Sequence, residues 1–586
     1  MSAQRHPVPA GGTADNKSWF KSAVFYQLHV RAFHDSNGDG VGDLEGLRQK
    51  LDYLEWLGVT CIWLLPIYES PLGDGGYDVS DYETIQPKLG TTAEFRRLVA
   101  DVHRRGMHII TDFVLNHTSV EHAWFQASRS DPDGPYGDFY VWSDTNTGYP
   151  DARIIFNDSE HSNWAYDPVR KQYYWHRFYT HQADLNFENE RVQQALLDVM
   201  RFWLDLGVDG FRLDAVPFLF ESEGTNCENL PGTHQYLKRL RAEMDRLYPG
   251  RLLLAEADEW PNDVLEYFGD PAVGGDECDM AFHFPLTPRV FIALRREERY
   301  PISEILAEVP KIPDNCQWAI FLRNHDELAL SMVSEEEYEY MHSQYAPEPR
   351  MRVNTGIRRR MAPLLDNDQD KLRLVTALLF SFPGSPVLYY GDEIGMGDNI
   401  WLPDRDGLRT PMQWSAEANA GFSECAADEL YLPVVSDPEY ACDVVNVADQ
   451  RNREGSLLRF VRSMIAIRKA HPEFGLGSYE ELDTGNPAIL AFVRRHQGSF
   501  VLCVNNLSSV EQSVRLDIER YGVASLTDCQ DHQTVVRTDD GAYELVLPRF
   551  GFRWLQNQTL TKAFIDDFTS VSALTAGDGE NIAAVS

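Results

Sequence analysis

The chain has 586 residues, 43% of them hydrophobic, which is enough to fill the cores of roughly two to four domains. Ninety acidic residues against 53 basic ones give a formal net charge of −37. Such a charge repels nucleic acid phosphates and anionic membrane surfaces, so we expect neither a nucleic acid nor a membrane as partner.

The cysteine pattern and the amino terminus indicate a reducing compartment. The eight cysteines are scattered without a CxxC pair, and Cys61 and Cys503 lie in apolar runs, where buried reduced thiols are usual. Segment 1–16 is polar and lacks the apolar core of a signal peptide, and no later segment has membrane-spanning length without charge. The sequence predicts a cytoplasmic protein.

Strand-like and helix-like segments alternate over roughly the first 400 residues. Eight strands separated mostly by helices predict an α/β fold, a (β/α)₈ TIM barrel. A doubly wound sheet is the alternative, but no glycine-rich phosphate loop follows the first strand. The predicted strands span 23–33, 60–68, 108–116, 209–216, 251–257, 279–284, 317–323 and 386–390.

The same pattern divides the chain into domains. The barrel is predicted over residues 1–116 and 183–481, and segment 117–182 is too long for a loop and predicts an inserted small domain. A highly charged insertion at about 328–370 predicts a flap over the barrel mouth. Short alternating runs then predict a C-terminal antiparallel β-sandwich over 482–560, followed by a flexible tail, 561–586.

Three apolar runs end abruptly in a carboxylic acid, at Asp214, Glu256 and Asp326. Because the carboxyl ends of barrel strands meet at one face, we expect the three side chains in one cleft. For each acid alone, a solvated strand end or an ion pair is the simpler interpretation. Three acids in register favour the chemistry of glycosidic bonds instead.

The segment DSNGDGVGD, residues 35–43, places oxygen ligands at alternating positions. Asp35, Asn37, Asp39 and Asp43 supply side-chain oxygens, and the carbonyl of Val41 fills the gap. Hard cations such as Ca²⁺ prefer this arrangement, although the closing glutamate of an EF-hand is missing. The sequence predicts a structural calcium site, with an ordinary acidic turn as the alternative.

Five short motifs occur in order at successive strand ends: DFVLNH (112–117), QADLN (182–186), GFRLDAV (210–216), LLAEA (253–257) and FLRNHD (321–326). With them the chain resembles the α-amylase family of glycoside hydrolases, family 13. Longer stretches, above all GTNCENLP (224–231) and the aromatic block before Gln182, are similar to the trehalose synthases of that family. GLRTPMQW (407–414) is shared with sucrose- and oligosaccharide-cleaving relatives and does not discriminate.

The resemblance implies a retaining glucosyl transfer through a covalent intermediate. Asp214 would be the nucleophile, kept ionised by Arg212, and Glu256 the acid/base, with a pKa raised by its negative neighbours. Asp326 would hold the sugar hydroxyls, and Asp78 with Arg409 would grip the non-reducing end. The implied substrate-binding residues are Tyr77, Asp78, His117, Gln182, Arg212, His325 and Arg409.

The resemblance also implies a second Ca²⁺ site and a lid. The metal ligands would be Asn116, Asp184, Glu221 and the carbonyls of Phe218 and Leu219. In the lid, Asp258 and Phe218 stand where asparagine and tyrosine are usual in the family. We therefore expect a salt bridge between Arg153 and Asp258, and a hydrolytic leakage that differs from the family norm.

The implied activity is the isomerisation of maltose to trehalose with minor hydrolysis to glucose, without an organic cofactor. The alternative is an α-glucosidase or oligosaccharide hydrolase that uses the same acids. A non-catalytic glycan-fold subunit is disfavoured because Asp214, Glu256 and Asp326 are all present. By family analogy we also expect a homo-oligomer and a partner kinase acting on maltose, a maltokinase.

Overall fold

Eight parallel strands close into a barrel in the computed structural model, which describes residues 18–557; segment 1–16 and the predicted tail 561–586 lie outside the described residues. In chain order the strands lie side by side around the barrel, and β8 pairs with β1. The predicted (β/α)₈ fold is confirmed. The strands are β1 Phe25–Leu28, β2 Cys61–Leu64, β3 His108–Val114, β4 Gly210–Asp214, β5 Leu252–Ala255, β6 Met280–Phe282, β7 Gln317–Phe321 and β8 Ser385–Tyr389.

Helices cover the outside of the barrel. In the helix between β3 and β4, Leu196, Met200 and Trp203 share one face and are buried, and Gly207 ends the helix in the left-handed conformation. The main helices are Leu44–Gln49, Leu51–Leu57, Thr92–Arg104, Glu190–Leu206, Pro231–Leu247, Leu286–Arg296, Tyr300–Glu308, Gln369–Ser381 and Leu457–Ala470.

The first strand is shorter than predicted. It ends at Leu28, and residues Val30–Phe33 form a short helix instead of continuing the strand. The chain turns there because the backbone bonds to the acidic loop: the N–H of Gly42 donates to the carbonyl of Arg31 at 2.8 Å. An apolar run cannot by itself distinguish a strand from a buried helical turn.

A close backbone approach fixes the start of β4. Gly210 has a φ of 156°, and a Cβ at this position would lie 2.3 Å from the carbonyl oxygen of Leu252 in β5. Glycine therefore lets β4 and β5 pair along their length. This pairing sets where Asp214, the last residue of β4, emerges from the barrel.

The segment after β3 forms a small antiparallel unit. Its three strands are Trp142–Ser143, Trp164–Asp167 and Gln172–Trp175, preceded by the helix Ala123–Ser130. Strand His117–Ser119 pairs with strand Gln182–Asp184, so the two ends of the insertion meet beside the barrel. The predicted domain boundary at 182/183 falls inside this pair.

The charged insertion near 328–370 contains a long helix, a hairpin and the short helices Pro349–Met351 and Met361–Leu364. The long helix is Glu335–Tyr345, and the hairpin pairs Arg352–Val353 with Gly356–Ile357. Leu328, just after β7, forms an antiparallel bridge with Ile357. The hairpin is thus attached to the carboxyl end of the barrel.

The C-terminal region forms an antiparallel sheet domain, as predicted. Its larger sheet contains Ser478–Leu482, Ile489–His496, Ser499–Asn506, Phe552–Gln556, Ser525–Asp528 and Thr534–Val536, and its smaller one contains Gln512–Leu516 and Tyr543–Leu547. Leu502, Val514 and Leu545 from both sheets share one core. Phe492 and Trp554 pack instead into the core of the barrel.

Two findings bear on the environment of the protein. Within residues 18–557, no helix combines the length and the apolar character needed to cross a membrane. All eight cysteines lie in that range and are free thiols.

Candidate active site

A cavity of about 300 Å³ opens at the carboxyl end of the barrel. Asp214, Glu256 and Asp326 all line it, so the structure brings the three predicted acids together. The inserted segment contributes Arg153 to the wall, and the tip of the hairpin contributes Asn354. The cavity therefore has walls from three separate parts of the chain.

One guanidinium contacts three carboxylates beneath this cavity. Nη1 of Arg212 donates to Oδ1 of Asp214 at 2.6 Å and to Oδ1 of Asp112 at 2.9 Å. Nη2 of the same guanidinium pairs with Glu256, which also accepts a hydrogen bond from the N–H of Ala215 at 3.1 Å. When all three acids are ionised, the cluster carries a net negative charge.

Burial raises the pKa of Asp214 to about 7, and it also raises the pKa of Glu256 to about 7. Arg212 lowers both pKa values, but one guanidinium does not offset the burial and the repulsion among its acids. Arg212 therefore lowers the pKa of Asp214 in the predicted direction, but it does not bring that pKa back to its usual range. The raised pKa of Glu256 agrees with the prediction made from the sequence, although burial raises it more than the negative neighbours do. The cluster holds a proton near neutral pH, as acid catalysis requires.

Asp326 differs from the other two acids because its partners favour the ionised form. Its Oδ2 pairs with Nε2 of His325 at 2.9 Å, and its Oδ1 accepts from Arg405 and Arg409, each at 3.0 Å. Burial opposes ionisation, but these partners hold the pKa of Asp326 well below its usual range. A carboxylate fixed in this way is suited to accept hydrogen bonds from sugar hydroxyls.

Tyr77 and His117 line the cavity, and their partners lie behind them. The ring of Tyr77 stacks on His325, with 5.5 Å between centroids, and its hydroxyl donates to Oδ2 of Asp112 at 3.0 Å. Nε2 of Gln182 lies 3.2 Å from Nε2 of His117. His325 and Gln182 therefore position residues that face the cavity.

The structure corrects the prediction for Asp78. Its carboxylate accepts hydrogen bonds from the N–H groups of Gly73 and Asp74 and from the Ser70 hydroxyl, so it closes its own loop. Asp74 lines the cavity instead, and its Oδ1 pairs with Arg405 at 2.8 Å. The signal available in the sequence was the glycine-rich turn GDGGY, which places Asp74 three residues before Tyr77.

The structure also corrects the prediction for Arg409 and adds a further acid, Glu327, to the cavity wall. Nε of Arg409 donates to the carbonyl of His325 at 3.0 Å, so Arg409 supports the site from behind while Arg405 faces the cavity. Glu327, which was not among the predicted site residues, also lines the cavity, and its Oε1 accepts from Nδ2 of Asn354 at 3.2 Å.

The three predicted lid residues, Arg153, Phe218 and Asp258, all line the cavity. The predicted salt bridge between Arg153 and Asp258 is wrong. Nε of Arg153 donates to Oε1 of Glu228 at 2.9 Å, and Asp258 accepts from the hydroxyl of Ser331. Burial raises the pKa of Asp258, which favours a neutral hydroxyl as partner.

The acidic loop 35–43 is closed by its own hydrogen bonds. Asp35 accepts from three backbone N–H groups of the loop and from the hydroxyl of Ser423, while Asp43 caps the helix that begins at Leu44. Across residues 18–557, no three His, Cys, Asp or Glu side chains form a metal-binding group. In this structure the loop is a hydrogen-bonded turn, and calcium binding here stays a prediction.

The second predicted metal site has a different character. Within the described chain, Oδ2 of Asp184 and Oε1 of Glu221 are buried without a hydrogen-bond partner. Burial raises the pKa of Asp184 to about 8, and burial together with the charge of Asp184 raises the pKa of Glu221 well above its usual range. Two buried carboxylates with unsatisfied oxygens fit a hard cation such as Ca²⁺.

Two family models match the chain. The α-amylase catalytic domain matches residues 27–347 and 350–477, and the maltogenic amylase C-terminal domain matches residues 479–554. Among solved structures, the α-glucosyl transfer enzyme XgtA superposes with a TM-score of 0.75 and 31% identity, covering 92% of this chain and 100% of that one. The trehalulose synthase MutB of Pseudomonas mesoacidophila gives a TM-score of 0.73 at 28% identity, covering 92% and 99%.

The chain belongs to the α-amylase family. Within it, the chain is similar to the trehalose synthases. Trehalose synthase/amylase TreS of Mycobacterium tuberculosis is 60% identical over 545 residues, 92% of this chain and 91% of that protein. The trehalose synthase of Pimelobacter sp. is 55% identical over 551 residues, 92% of this chain and 96% of that protein.

Proposed function

We propose that this protein converts maltose to trehalose by a retaining glucosyl transfer inside one pocket. The observation that carries the proposal is the placement of Asp214 and Glu256 on the two nitrogens of one guanidinium, because retaining transfer needs two adjacent carboxyl groups. The similarity to trehalose synthases supports glucose, rather than water, as the acceptor.

In the first step, a carboxylate oxygen of Asp214 attacks C1 of the non-reducing glucose unit. The bond between C1 and the bridging O4 breaks, and Glu256 donates its proton to O4. The pKa of Glu256, raised to about 7, allows it to hold this proton at neutral pH. The products are a glucosyl–Asp214 ester, free glucose in the pocket and an ionised Glu256.

In the second step, the freed glucose reorients and presents its anomeric hydroxyl. Glu256 removes the proton of that hydroxyl, its oxygen attacks C1, and Asp214 leaves as a carboxylate. Two inversions at C1 retain the α configuration and give trehalose. Attack by water instead gives glucose, so minor hydrolysis depends on how well the pocket excludes water.

The remaining cavity residues bind and orient the transferred glucose. Asp326, held ionised by Arg405 and Arg409, accepts hydrogen bonds from hydroxyls next to C1. Asp74 and His117 line the same cavity and supply further polar groups for the hydroxyls of this unit. These contacts strengthen as the ring flattens towards the oxocarbenium-like transition state.

Incubation of the protein with maltose tests the proposal. We expect trehalose as the main product with a minor amount of glucose, and we expect Asp214→Asn and Glu256→Gln to abolish both. Glucose without trehalose would identify an α-glucosidase, the activity that the names of relatives with 32% identity describe. Product identification by chromatography decides between the two.

We further propose that Asp184 and Glu221 hold a structural Ca²⁺ ion together with Asn116 and the carbonyls of Phe218 and Leu219. The unsatisfied carboxylate oxygens support this site. Chelation should lower the melting temperature, because a ligand at 100 times its Kd stabilises by about 2.7 kcal/mol. Glu221→Gln should abolish the response to calcium, and an equal response of the variant and the native protein would contradict the site.

Three expectations from the sequence stay predictions. They are a cytoplasmic location, self-association into a homo-oligomer and a partner kinase that acts on maltose. The free thiols agree with a reducing compartment. Size-exclusion chromatography with light scattering would measure the oligomeric state.

A further inference from the structure

The loop GTNCENLP, residues 224–231, presents one carboxylate towards the inserted segment. Cys227 and Asn229 both have a positive φ, 56° and 54°, so the residue between them is held in a tight turn. The N–H of Asn229 donates to the carbonyl of Pro217 at 2.9 Å, and its side chain donates to Glu259 at 2.8 Å. Asn229 thus connects the turn by hydrogen bonds to two residues of the cavity wall, Pro217 and Glu259.

Glu228, the residue in this turn, connects two arginines of the inserted segment. Its Oε1 accepts from Nε of Arg153 at 2.9 Å and from Nη2 of Arg177 at 2.8 Å. The side chain of Glu228 is 7% exposed and that of Arg177 is fully buried, whereas that of Arg153 is 50% exposed. The pair of Glu228 and Arg177 is therefore buried, and Arg153 is the partner that faces solvent.

Both arginines affect the wall of the cavity. Arg153 itself lines it, and the guanidinium of Arg177 lies 4.8 Å from the ring centre of Phe218, another lining residue. Arg153 is followed directly by Ile154, which also faces the cavity. Glu228 thus contacts the wall of the cavity directly through Arg153 and indirectly through Arg177 and Phe218.

We propose that Glu228 is a positioning residue that keeps this wall closed over the freed glucose during the transfer. The inference rests on the proposed function, because only an enzyme that must retain its leaving group needs such closure. A half-exposed arginine without its carboxylate samples many rotamers, so the wall that it forms would open to water. Water would then compete with glucose for the glucosyl–Asp214 ester.

The test is the ratio of glucose to trehalose formed from maltose by Glu228→Gln, compared with the native chain. We expect the ratio to rise about tenfold, which corresponds to about 1.4 kcal/mol in the competition between the two acceptors. This ratio does not depend on how much folded enzyme is present, so a loss of stability alone does not change it. Glu228→Asp keeps the charge and should restore part of the native ratio.

Arg153→Gln provides a second variant if loss of the partner of Arg177 prevents folding. It leaves the buried pair of Glu228 and Arg177 intact and should raise the ratio in the same direction. Glu223→Gln, an exposed glutamate directly before this loop, is the matched control. Its Oε1 accepts from the N–H of Tyr149 at 3.4 Å, and the glutamine oxygen can still do so, so we expect the native ratio.

The outcomes separate the two proposals. Unchanged ratios in Glu228→Gln and Arg153→Gln, with trehalose still formed by the native chain, would overturn the role of Glu228 alone. If the native chain forms no trehalose at all, the proposed function fails, and the inference fails with it. A raised ratio in both variants and a native ratio in Glu223→Gln would support it.

Discussion

Arg212 determines the charge of the catalytic cluster because it is shared. The guanidinium contacts Asp112, Asp214 and Glu256, so no one carboxylate has a cation of its own. An arginine paired with a single carboxylate would keep that acid ionised. One arginine shared by three carboxylates leaves the three acids together with a proton near pH 7. The same arrangement therefore supplies an attacking carboxylate and a proton donor.

The pH dependence of the reaction should respond to Asp112. The acidic limb of kcat/KM requires ionised Asp214, and the basic limb requires protonated Glu256. Asp112→Asn removes a negative neighbour that raises the pKa of Asp214, so the acidic limb should move to lower pH by about one unit. Glu223→Gln, whose charge lies outside the cluster, should leave the profile unchanged. An acidic limb of Asp112→Asn that stays in place would contradict this account.

Substitution by asparagine should lower kcat/KM at Asp74 and mainly lower stability at Asp78. Asp74→Asn weakens a charged contact at the cavity, so kcat/KM for maltose should fall about tenfold or more, since such a hydrogen bond contributes about 1.5–3 kcal/mol. Asp78→Asn should mainly lower the melting temperature, because Asp78 closes its loop. A larger loss of kcat/KM for Asp78→Asn than for Asp74→Asn would contradict the assignment of Asp74, rather than Asp78, to the cavity.

At the scale of secondary structure, β4 and β5 together place both reacting acids. Asp214 is the last residue of β4, and Glu256 is the first residue after β5. The two strands pair in parallel from Gly210 opposite Leu252 onwards, so one register sets both side chains. The separation of the acids is therefore a property of strand pairing, and loop conformation has little influence on it.

Gly210→Ala should disturb this register. The added methyl group would meet the backbone of Leu252, so we expect the free energy of unfolding to fall by about 1–3 kcal/mol and kcat to fall with it. Gly106→Ala is the matched control, because Gly106 has a positive φ and no atom near its Cβ position. Denaturant unfolding and kcat of both variants test this. Equal losses of kcat would mean that the strand register does not control the acids.

At the scale of the whole molecule, the C-terminal domain is part of the structure that supports the barrel. The rings of Phe382 and Phe492 stack 5.8 Å apart, and Arg494 donates to the carbonyl of Ser381 at 2.7 Å. Arg299 pairs with Glu481 at 2.6 Å. Buried contacts of this kind couple the two domains in unfolding.

We therefore expect a single unfolding transition in calorimetry. Phe492→Ala should lower the melting temperature of that one transition, since truncation of a buried phenylalanine costs about 3–5 kcal/mol. A separate, earlier transition of the C-terminal domain in the variant or in the native protein would show that the domains unfold independently. Preparations must have the same calcium content, because a bound ion shifts the transition.

Much of the site was predictable because strand ends are visible in sequence. Asp214, Glu256 and Asp326 each follow an apolar run, and barrel geometry brings such positions together. The roles of Asp74 and Asp78 were exchanged, because both acids lie in one polar loop. The turn GDGGY marks Asp74 in the sequence, but only the folded shape of the loop shows which acid faces inward. The partner of Arg153 was missed because Glu228 is far along the chain.

The sequence by itself determined the eight-stranded barrel, its inserted segment, the antiparallel C-terminal domain and the positions of the three acids. These follow from local periodicity and from charges at the ends of apolar runs, which need no knowledge of distant contacts. Only the tertiary structure decided which acids share Arg212, which aspartate faces the cavity and which carboxylate holds Arg153. Those outcomes depend on burial and on pairing between residues distant in the chain, because desolvation sets both the pKa of an acid and its choice of partner.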